Sequence, residues 1–318
     1  MKNKILVVYN TCGLKKDNTD MYISSLNSIV GQDFDGFKVV VSAYHNSSEC
    51  LQKLKLTFGD KIEIVQYQHN KELPLHVNVT FNKTVQECVK KFGNFEYYLY
   101  VDSGCHFHDS GRENHGNKVL QEAYSTLKQN QNYAMASYRV DRDFKPHAIP
   151  VPDTPGQDFV MPPGTAVNGH LNFFHNDMYE AFNKKLWPDV FKADCSESVF
   201  TYLCGAVNKR WIILKDIVLQ HKPDVDGASN SYPRLRGAAH WNNLMFGRDI
   251  QDMIQSTEAI EAGMGYEELW KIMQHNVECY DEDGNAKYPK KLKKVVNEFL
   301  FLNDTELDYD DIDVKIGL

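Results

Sequence analysis

Four short apolar runs alternate with three segments of helical periodicity in the first 102 residues, and few architectures accept that order. Residues 5–9 (ILVVY), 37–43 (FKVVVSA), 61–66 (KIEIVQ) and 96–101 (EYYLYV) are rich in β-branched and aromatic side chains. They are too short for core helices, so the pattern predicts strands. Between them, residues 20–30 carry Met21, Ile23, Leu26, Ile29 and Val30 at helical spacing. Residues 47–58 open on serines suited to capping, and 77–92 form an amphipathic stretch with Val77, Phe81, Val85, Cys88 and Val89. A βαβαβαβ run closes into a parallel sheet with helices on both faces. Ligands of such sheets bind beyond the carboxyl ends of the strands. Asn10, Thr11, the loop 42–48 and Asp102 fall there, so the first third reads as a nucleotide-binding half.

The remainder is less regular. A helix is predicted over 113–129, a strand over 133–140, a strand over 170–175, and helices over 177–186 and 194–207. Two short strands are expected within 210–221. The stretch 141–168 holds Pro146, Pro150, Pro152, Pro155, Pro162 and Pro163, and a loop of that length inside a domain is usually functional. Helical segments are expected near 246–261, 265–276 and 289–302, followed by an acidic run through Asp313 that reads as a solvated tail. The expected organisation is therefore a catalytic domain over 1–235, with halves 1–104 and 105–235, and a helical extension over 236–318.

Composition excludes several classes. With 35 Lys and Arg against 43 Asp and Glu, the net charge is −8, which argues against a general nucleic-acid binder. Seven cysteines without a CxxC pair argue against a disulfide framework or a structural zinc site and fit a reducing cytoplasm. The run 5–9 is too short for a signal-peptide core, and no stretch approaches ~18 apolar residues, so a soluble cytoplasmic protein without a membrane segment is expected. The turn 10–15 (NTCGLK) lacks GxGxxG and GxxxxGK[ST], which disfavours a Rossmann dehydrogenase or a P-loop ATPase.

Two residues stand at strand ends with chemistry to offer. Asp102, in Leu99-Tyr100-Val101-Asp102-Ser103-Gly104, follows an apolar strand, where a carboxylate can hold a divalent cation against a diphosphate. A turn-capping Asp is the competing explanation. His221 follows the apolar residues 217–219, and a neutral imidazole there is a candidate second ligand, against the commoner role of a surface or structural His. Further along, Gly169 could let backbone approach a ligand, with Asn168 and His170 as polar contacts, or the three form an ordinary Gly/Pro turn. Arg234, Arg236 and His240 make a basic loop suited to phosphates, or simply a solvated one.

The order and spacing of these segments resemble GT-A glycosyltransferases, especially the large inverting family that builds polysaccharides and modifies many acceptors. Ser25-Leu26-Asn27-Ser28-Ile29-Val30-Gly31-Gln32-Asp33-Phe34 is similar to that family's SLxSIxxQxY helix and turn. Thr80-Phe81-Asn82-Lys83-Thr84 stands where the family has xRNxG, Asp102-Ser103-Gly104 where it has the DxD metal motif, and His221 where many members have a late metal-binding His. The likeness covers about residues 4–222 and implies an α/β GT-A fold, with a mixed, mainly parallel sheet flanked by helices. It implies inverting transfer of a hexose or pentose from a nucleotide sugar, a UDP-sugar first, with Mn²⁺ or Mg²⁺ on the diphosphate. It further implies donor contacts from Asn10, Thr11, Tyr44, Asn46, Asn82, Asp102, Ser103 and Gly104, and metal ligation by Asp102 and His221. The general base falls in Ala193-Asp194-Cys195-Ser196-Glu197-Ser198, at Glu197 or Asp194, although D-x-x-E also describes a capping box.

The departures are specific. Gly104 replaces the second carboxylate of DxD, with His106 and His108 nearby as substitutes, and the loop 42–46 lacks the family's acid. A glycan is the default acceptor, and hydroxymethylated bases of viral DNA fit the acidic charge less well. A nucleotidyltransferase making nucleotide sugars shares the fold but needs a GxGxR-type loop after the first strand, absent here. A non-catalytic sugar-binding module is the third alternative, since one metal-motif carboxylate is missing.

Overall fold

The computed structural model describes residues 3–13, 16–69, 77–107, 117–140, 159–160, 171–187, 200–221, 297, 301 and 312–316. The first half follows the sequence pattern closely: β1 (Ile5–Cys12), α1 (Thr19–Val30), β2 (Phe37–Tyr44), α2 (Ser48–Phe58), β3 (Ile62–His69), α3 (Val77–Phe92) and β4 (Tyr97–Asp102). Ser47 caps α2, its hydroxyl accepting from the Cys50 amide at 3.2 Å.

β3, β2, β1 and β4 lie side by side and parallel in that order. Alternate residues serve opposite faces of the sheet. Ile5, Val7, Tyr9, Val39, Val41, Tyr97, Leu99 and Val101 join one buried core with Tyr22, Leu26 and Ile29 of α1 and Leu51 and Leu54 of α2. Leu6, Val8, Val40, Tyr98 and Tyr100 are equally buried, and α3 packs against β1 and β2 with Phe81 and Val85 in the interior. Strands covered on both sides tend to be apolar throughout, which is why β1 and β4 read as continuous runs, whereas β3, with Glu63 at the surface, reads as an alternating one.

The second half adds β5 (Cys105–His106), α4 (Val119–Gln129), β6 (Tyr133–Val140), β7 (Phe159–Val160), β8 (Leu171–His175), α5 (Asn176–Ala181), α6 (Phe200–Ala206), β9 (Arg210–His221) and β10 (Ile312–Ile316). The ten strands form one sheet of order β10-β3-β2-β1-β4-β8-β6-β9-β5, with β7 on β9. β8 is antiparallel to both β4 and β6, and β6 is parallel to β9, so the sheet is mixed and mainly parallel.

Three features differ from the sequence expectation. Residues 210–221 form one strand, not two; its register against β6 jumps from Leu214 at Tyr138 to Val218 at Arg139, an irregularity that absorbs three residues without ending the strand. The helix expected over 177–186 stops at Ala181, because Asn183 (φ 52°) and Lys184 (φ 61°) take left-handed conformations and turn the chain inward, burying Lys185, Leu186 and Trp187. Of the acidic run only Asp313 lies among the described residues, in a strand the sequence reading did not expect: Ile312–Ile316 pairs antiparallel with β3, Ile312 opposite His69 and Ile316 opposite Val65. Its sequence, IDVKI, alternates with a period of two, and the pairing covers an otherwise open sheet edge. Phe301 also returns to the body of the fold, stacked on Phe182 at 4.9 Å. The helices expected over 246–261 and 265–276, and nearly all of 141–168, lie outside the described residues.

Candidate active site

The carboxyl ends of β1, β2 and β4 carry polar side chains into one rim. Asn10 on β1 is in register with Ser42 on β2 and with Asp102 on β4. Its amide reaches back to the Val8 and Val101 carbonyls at 3.4 Å each. One residue on, the Thr11 hydroxyl donates to Asn46 Oδ1 at 2.8 Å, and Asn46 Nδ2 donates to Asp17 Oδ1 at 2.7 Å. Asp17 Oδ2 accepts the Ser47 amide at 2.9 Å. A carboxylate from the loop before α1 therefore stands against the loop after β2, which has none of its own. Tyr44 closes this corner; burial pushes its phenol well above the usual range, so it stays protonated and can donate.

Gly13 sits at the tightest point of that corner. A Cβ there would meet Asp17 Oδ1 and stand 2.8 Å from both the Asn46 Cα and the His45 carbonyl. Gly13→Ala is therefore expected to cost about 1–3 kcal/mol of stability, as overpacking does. Thermal denaturation of the variant beside the wild type checks this.

The loop after β4 is fixed from below by α1. Ser25 donates to the Cys105 carbonyl, Ser28 Oγ accepts the Phe107 amide at 2.9 Å, and Gln32 Oε1 accepts the Leu120 amide at 3.2 Å. All three side chains are buried. The polar residues of the SLxSIxxQ stretch therefore tie the turn 102–107 and the start of α4 to one helix. Gly104 explains the missing second carboxylate: it is buried at φ +88°, where a residue with a Cβ is strained. After that turn β5 pairs with β9, Cys105 opposite His221 and His106 opposite Gln220. Two residues 119 positions apart, Asp102 and His221, are thereby brought to the same edge of the sheet.

Asp102 and His221 are residue types whose side chains divalent cations accept as ligands. A carboxylate and an imidazole suit Mn²⁺ or Mg²⁺, and Mg²⁺ is commonly held by one or two carboxylates plus substrate phosphates. Among the described residues no group of three or more His, Cys, Asp or Glu side chains could hold a metal by itself.

Asn82 is engaged elsewhere than at the nucleotide rim. Fully buried, its Oδ1 accepts the Leu186 and Trp187 amides at 2.9 and 3.1 Å, and its Nδ2 donates to the Trp187 carbonyl at 2.7 Å. It anchors the inward turn that follows α5. Trp187 in turn stacks on Tyr100, whose hydroxyl donates to Asp102 Oδ1 at 2.9 Å. Asp17, Tyr100 and Trp187 were not singled out by sequence reasoning. Asp17 lay in a polar loop with no motif, and the two aromatics looked like ordinary core. His106 is buried in β5. His108, Asn168, Gly169, His170, Asp194, Glu197, Arg234, Arg236 and His240 lie outside the described residues.

No family model matches the chain, and no curated protein sequence matches it. Solved structures do. Over 79% of its length the chain is similar to the mannosyltransferase PcManGT from Pyrobaculum calidifontis in complex with GDP-Man and Mn²⁺, at 15% identity and a TM-score of 0.51. Over 94% it is similar to GalNAc-T7 with UDP, GalNAc and Mn²⁺, at 8% identity and a TM-score of 0.50. It spans 65% of the first of those chains and 59% of the second, less than two-thirds of either. Sheet order and these likenesses together define the fold as GT-A type, a mixed, mainly parallel sheet flanked by helices. No helix among the described residues is long and apolar enough to cross a membrane.

Proposed function

We propose that this chain is a metal-dependent glycosyltransferase that moves a sugar from a nucleotide sugar, a UDP-sugar first, to an acceptor hydroxyl on a glycan, with inversion. The observation that carries this is the rim itself: Asp102 beside Asn10 at the carboxyl end of the parallel strands, with β9 paired so that His221 stands opposite Cys105. In the corner made by Thr11, Asp17, Tyr44 and Asn46, Thr11 lies on β1 beside the strand of Asp102, and Tyr44 lies on β2, one strand further and ~10 Å from β4 at the usual strand spacing. That distance suits a nucleoside seated on the corner with its diphosphate reaching Asp102. The two structurally similar proteins carry GDP-Man or UDP together with Mn²⁺, which supports a nucleotide donor and a divalent cation here.

In this mechanism Asp102 and His221 would hold the cation, which would supply charge neutralisation for the departing nucleoside diphosphate. Ser103 and Gly104 offer backbone to the donor. Glu197, with Asp194 as its alternate, takes the proton of the acceptor hydroxyl. The acceptor oxygen bonds to the anomeric carbon as the bond from that carbon to the phosphate oxygen breaks. Asn168, Gly169 and His170 contact sugar, and Arg234 and Arg236 meet the phosphates.

The test is a panel of nucleotide sugars assayed for Mn²⁺-dependent hydrolysis and for thermal stabilisation. One donor class should be turned over, and chelation should abolish its turnover. No hydrolysis and no stabilisation by any nucleotide sugar would overturn the proposal. Within that assay, His221→Ala is expected to raise the Mn²⁺ concentration for half-maximal activity about ten-fold, in the range seen for lost metal ligands and their supports, without a comparable fall in melting temperature. An unchanged metal requirement would remove His221 from the site.

A further inference from the structure

We infer that Tyr100 and Trp187 form a positioning relay that aims the Asp102 carboxylate, with Asn82 as its fixed point. The inference rests on Asp102 being a metal ligand as proposed above. Its starting observation is the 2.9 Å hydrogen bond from the Tyr100 hydroxyl to Asp102 Oδ1. Residues i and i+2 of a strand share a face, and a side chain leaning along the strand from one can reach the other. A tyrosine spans that gap only if its ring lies along the strand towards the carboxyl end.

Packing holds the ring in that direction. Trp187 stacks on it with centroids 4.4 Å apart and planes 28° apart. Phe81 closes the side, edge-on to Tyr100 at 5.2 Å and tilted against Trp187 at 5.9 Å. Tyr100 is 2% exposed and Trp187 4%, so neither ring can swing aside without opening the core. Trp187 follows two left-handed residues, Asn183 and Lys184. The turn closes on its own backbone, Lys184 N–H to the Tyr179 carbonyl and Lys185 N–H to the Phe182 carbonyl, and three hydrogen bonds between Asn82 and the Leu186 and Trp187 backbone fix the residues after it. The path runs from α3, through the turn after α5, to the last residue of β4.

The consequence is chemical. A phenol donating to one carboxylate oxygen fixes the rotation of the group, so its orientation is set before any cation arrives. Outer partners of this kind typically change metal affinity by about 10–100-fold when removed. Tyr100 and Trp187 touch no reacting atom in this scheme, so they are positioning residues.

Tyr100→Phe is the direct test, because it keeps the ring and its stack and deletes only the hydroxyl. Binding of Mn²⁺ would be followed by electron paramagnetic resonance with UDP present, in the full chain. The proposal expects Mn²⁺ affinity to fall about ten-fold or more, with UDP affinity in chelator unchanged and turnover recovered at saturating Mn²⁺. Trp187→Phe, which reaches Asp102 only through Tyr100, should weaken Mn²⁺ binding in the wild-type background and add nothing in the Tyr100→Phe background. This second arm also serves if either single variant proves poorly stable, since the double-mutant comparison is made at matched folded protein. Wild-type Mn²⁺ affinity in Tyr100→Phe, or additive effects in the pair, would overturn the relay while leaving Asp102 as a ligand. A wild-type chain showing no UDP-linked Mn²⁺ binding would overturn the metal site and the relay with it.

Discussion

Asp102→Asn is expected to lower donor turnover ~10²-fold or more, the loss that follows when a metal-held leaving group loses its anchor. The substitution removes one negative charge and almost no volume. Asn still offers an oxygen to the Tyr100 hydroxyl, so the hydrogen bond at Oδ1 can persist. The residue is half-buried at the end of β4, away from the apolar run, so stability should change by about 1 kcal/mol or less. The diagnostic measurement is UDP affinity with Mn²⁺ and with chelator. In the wild type, Mn²⁺ should tighten UDP binding; in Asp102→Asn that increment should vanish, and the chelator value should match the wild type. On the proposed reading the corner at Asp17 and Asn46 supplies that residual affinity, and the substitution does not touch it. Normal turnover in Asp102→Asn would show that the rim binds its donor by other groups.

β1 was legible because it is buried on both faces, which makes ILVVY an unbroken apolar run too short for a core helix, and β3 because KIEIVQ alternates. The motif on α1 was legible as a likeness, but its physical content was not. Ser25, Ser28 and Gln32 looked like one face of a helix, and only the fold shows them holding the Cys105 carbonyl, the Phe107 amide and the Leu120 amide. Gly104 looked like a missing ligand; its φ of +88° makes it the residue that lets the chain turn into β5 and so meet β9. Asp17 escaped because the acid was sought in the loop after β2, whereas the corner draws it from the preceding crossover, 30 residues before the Ser47 amide it accepts. Asn82 escaped for the opposite reason. Its place in a family-like stretch suggested the donor, while its three backbone bonds belong to a turn 104 and 105 residues away. Long-range partners of this kind leave no periodicity in sequence. The C-terminal strand did leave one, in the alternation of IDVKI, but the acidic run before it masked the signal.

Glu197→Gln is the second substitution with a large expected effect, and it addresses the proton rather than the metal. An acceptor hydroxyl is a poor nucleophile until a base takes its proton, and a positioned base typically contributes ~10²–10⁴-fold. Gln keeps the shape and the hydrogen-bonding reach of Glu but cannot take that proton. Turnover to an acceptor should fall ~10²-fold or more, while UDP affinity and its dependence on Mn²⁺ stay at wild-type values, because the base acts only as the bond forms. That pattern is the reverse of the one expected for Asp102→Asn, so the two variants separate proton transfer from leaving-group stabilisation. Asp194→Asn is the internal control. The D-x-x-E spacing of Asp194 and Glu197 allows one residue to cap a helix while the other faces the acceptor. A capping residue should cost roughly 0.5–2 kcal/mol of stability with turnover retained. If Asp194→Asn abolishes turnover and Glu197→Gln only lowers the melting temperature, the two residues exchange roles. If neither variant slows transfer and the product keeps the donor's anomeric configuration by nuclear magnetic resonance, a single in-line displacement does not describe this site, and the inverting mechanism falls.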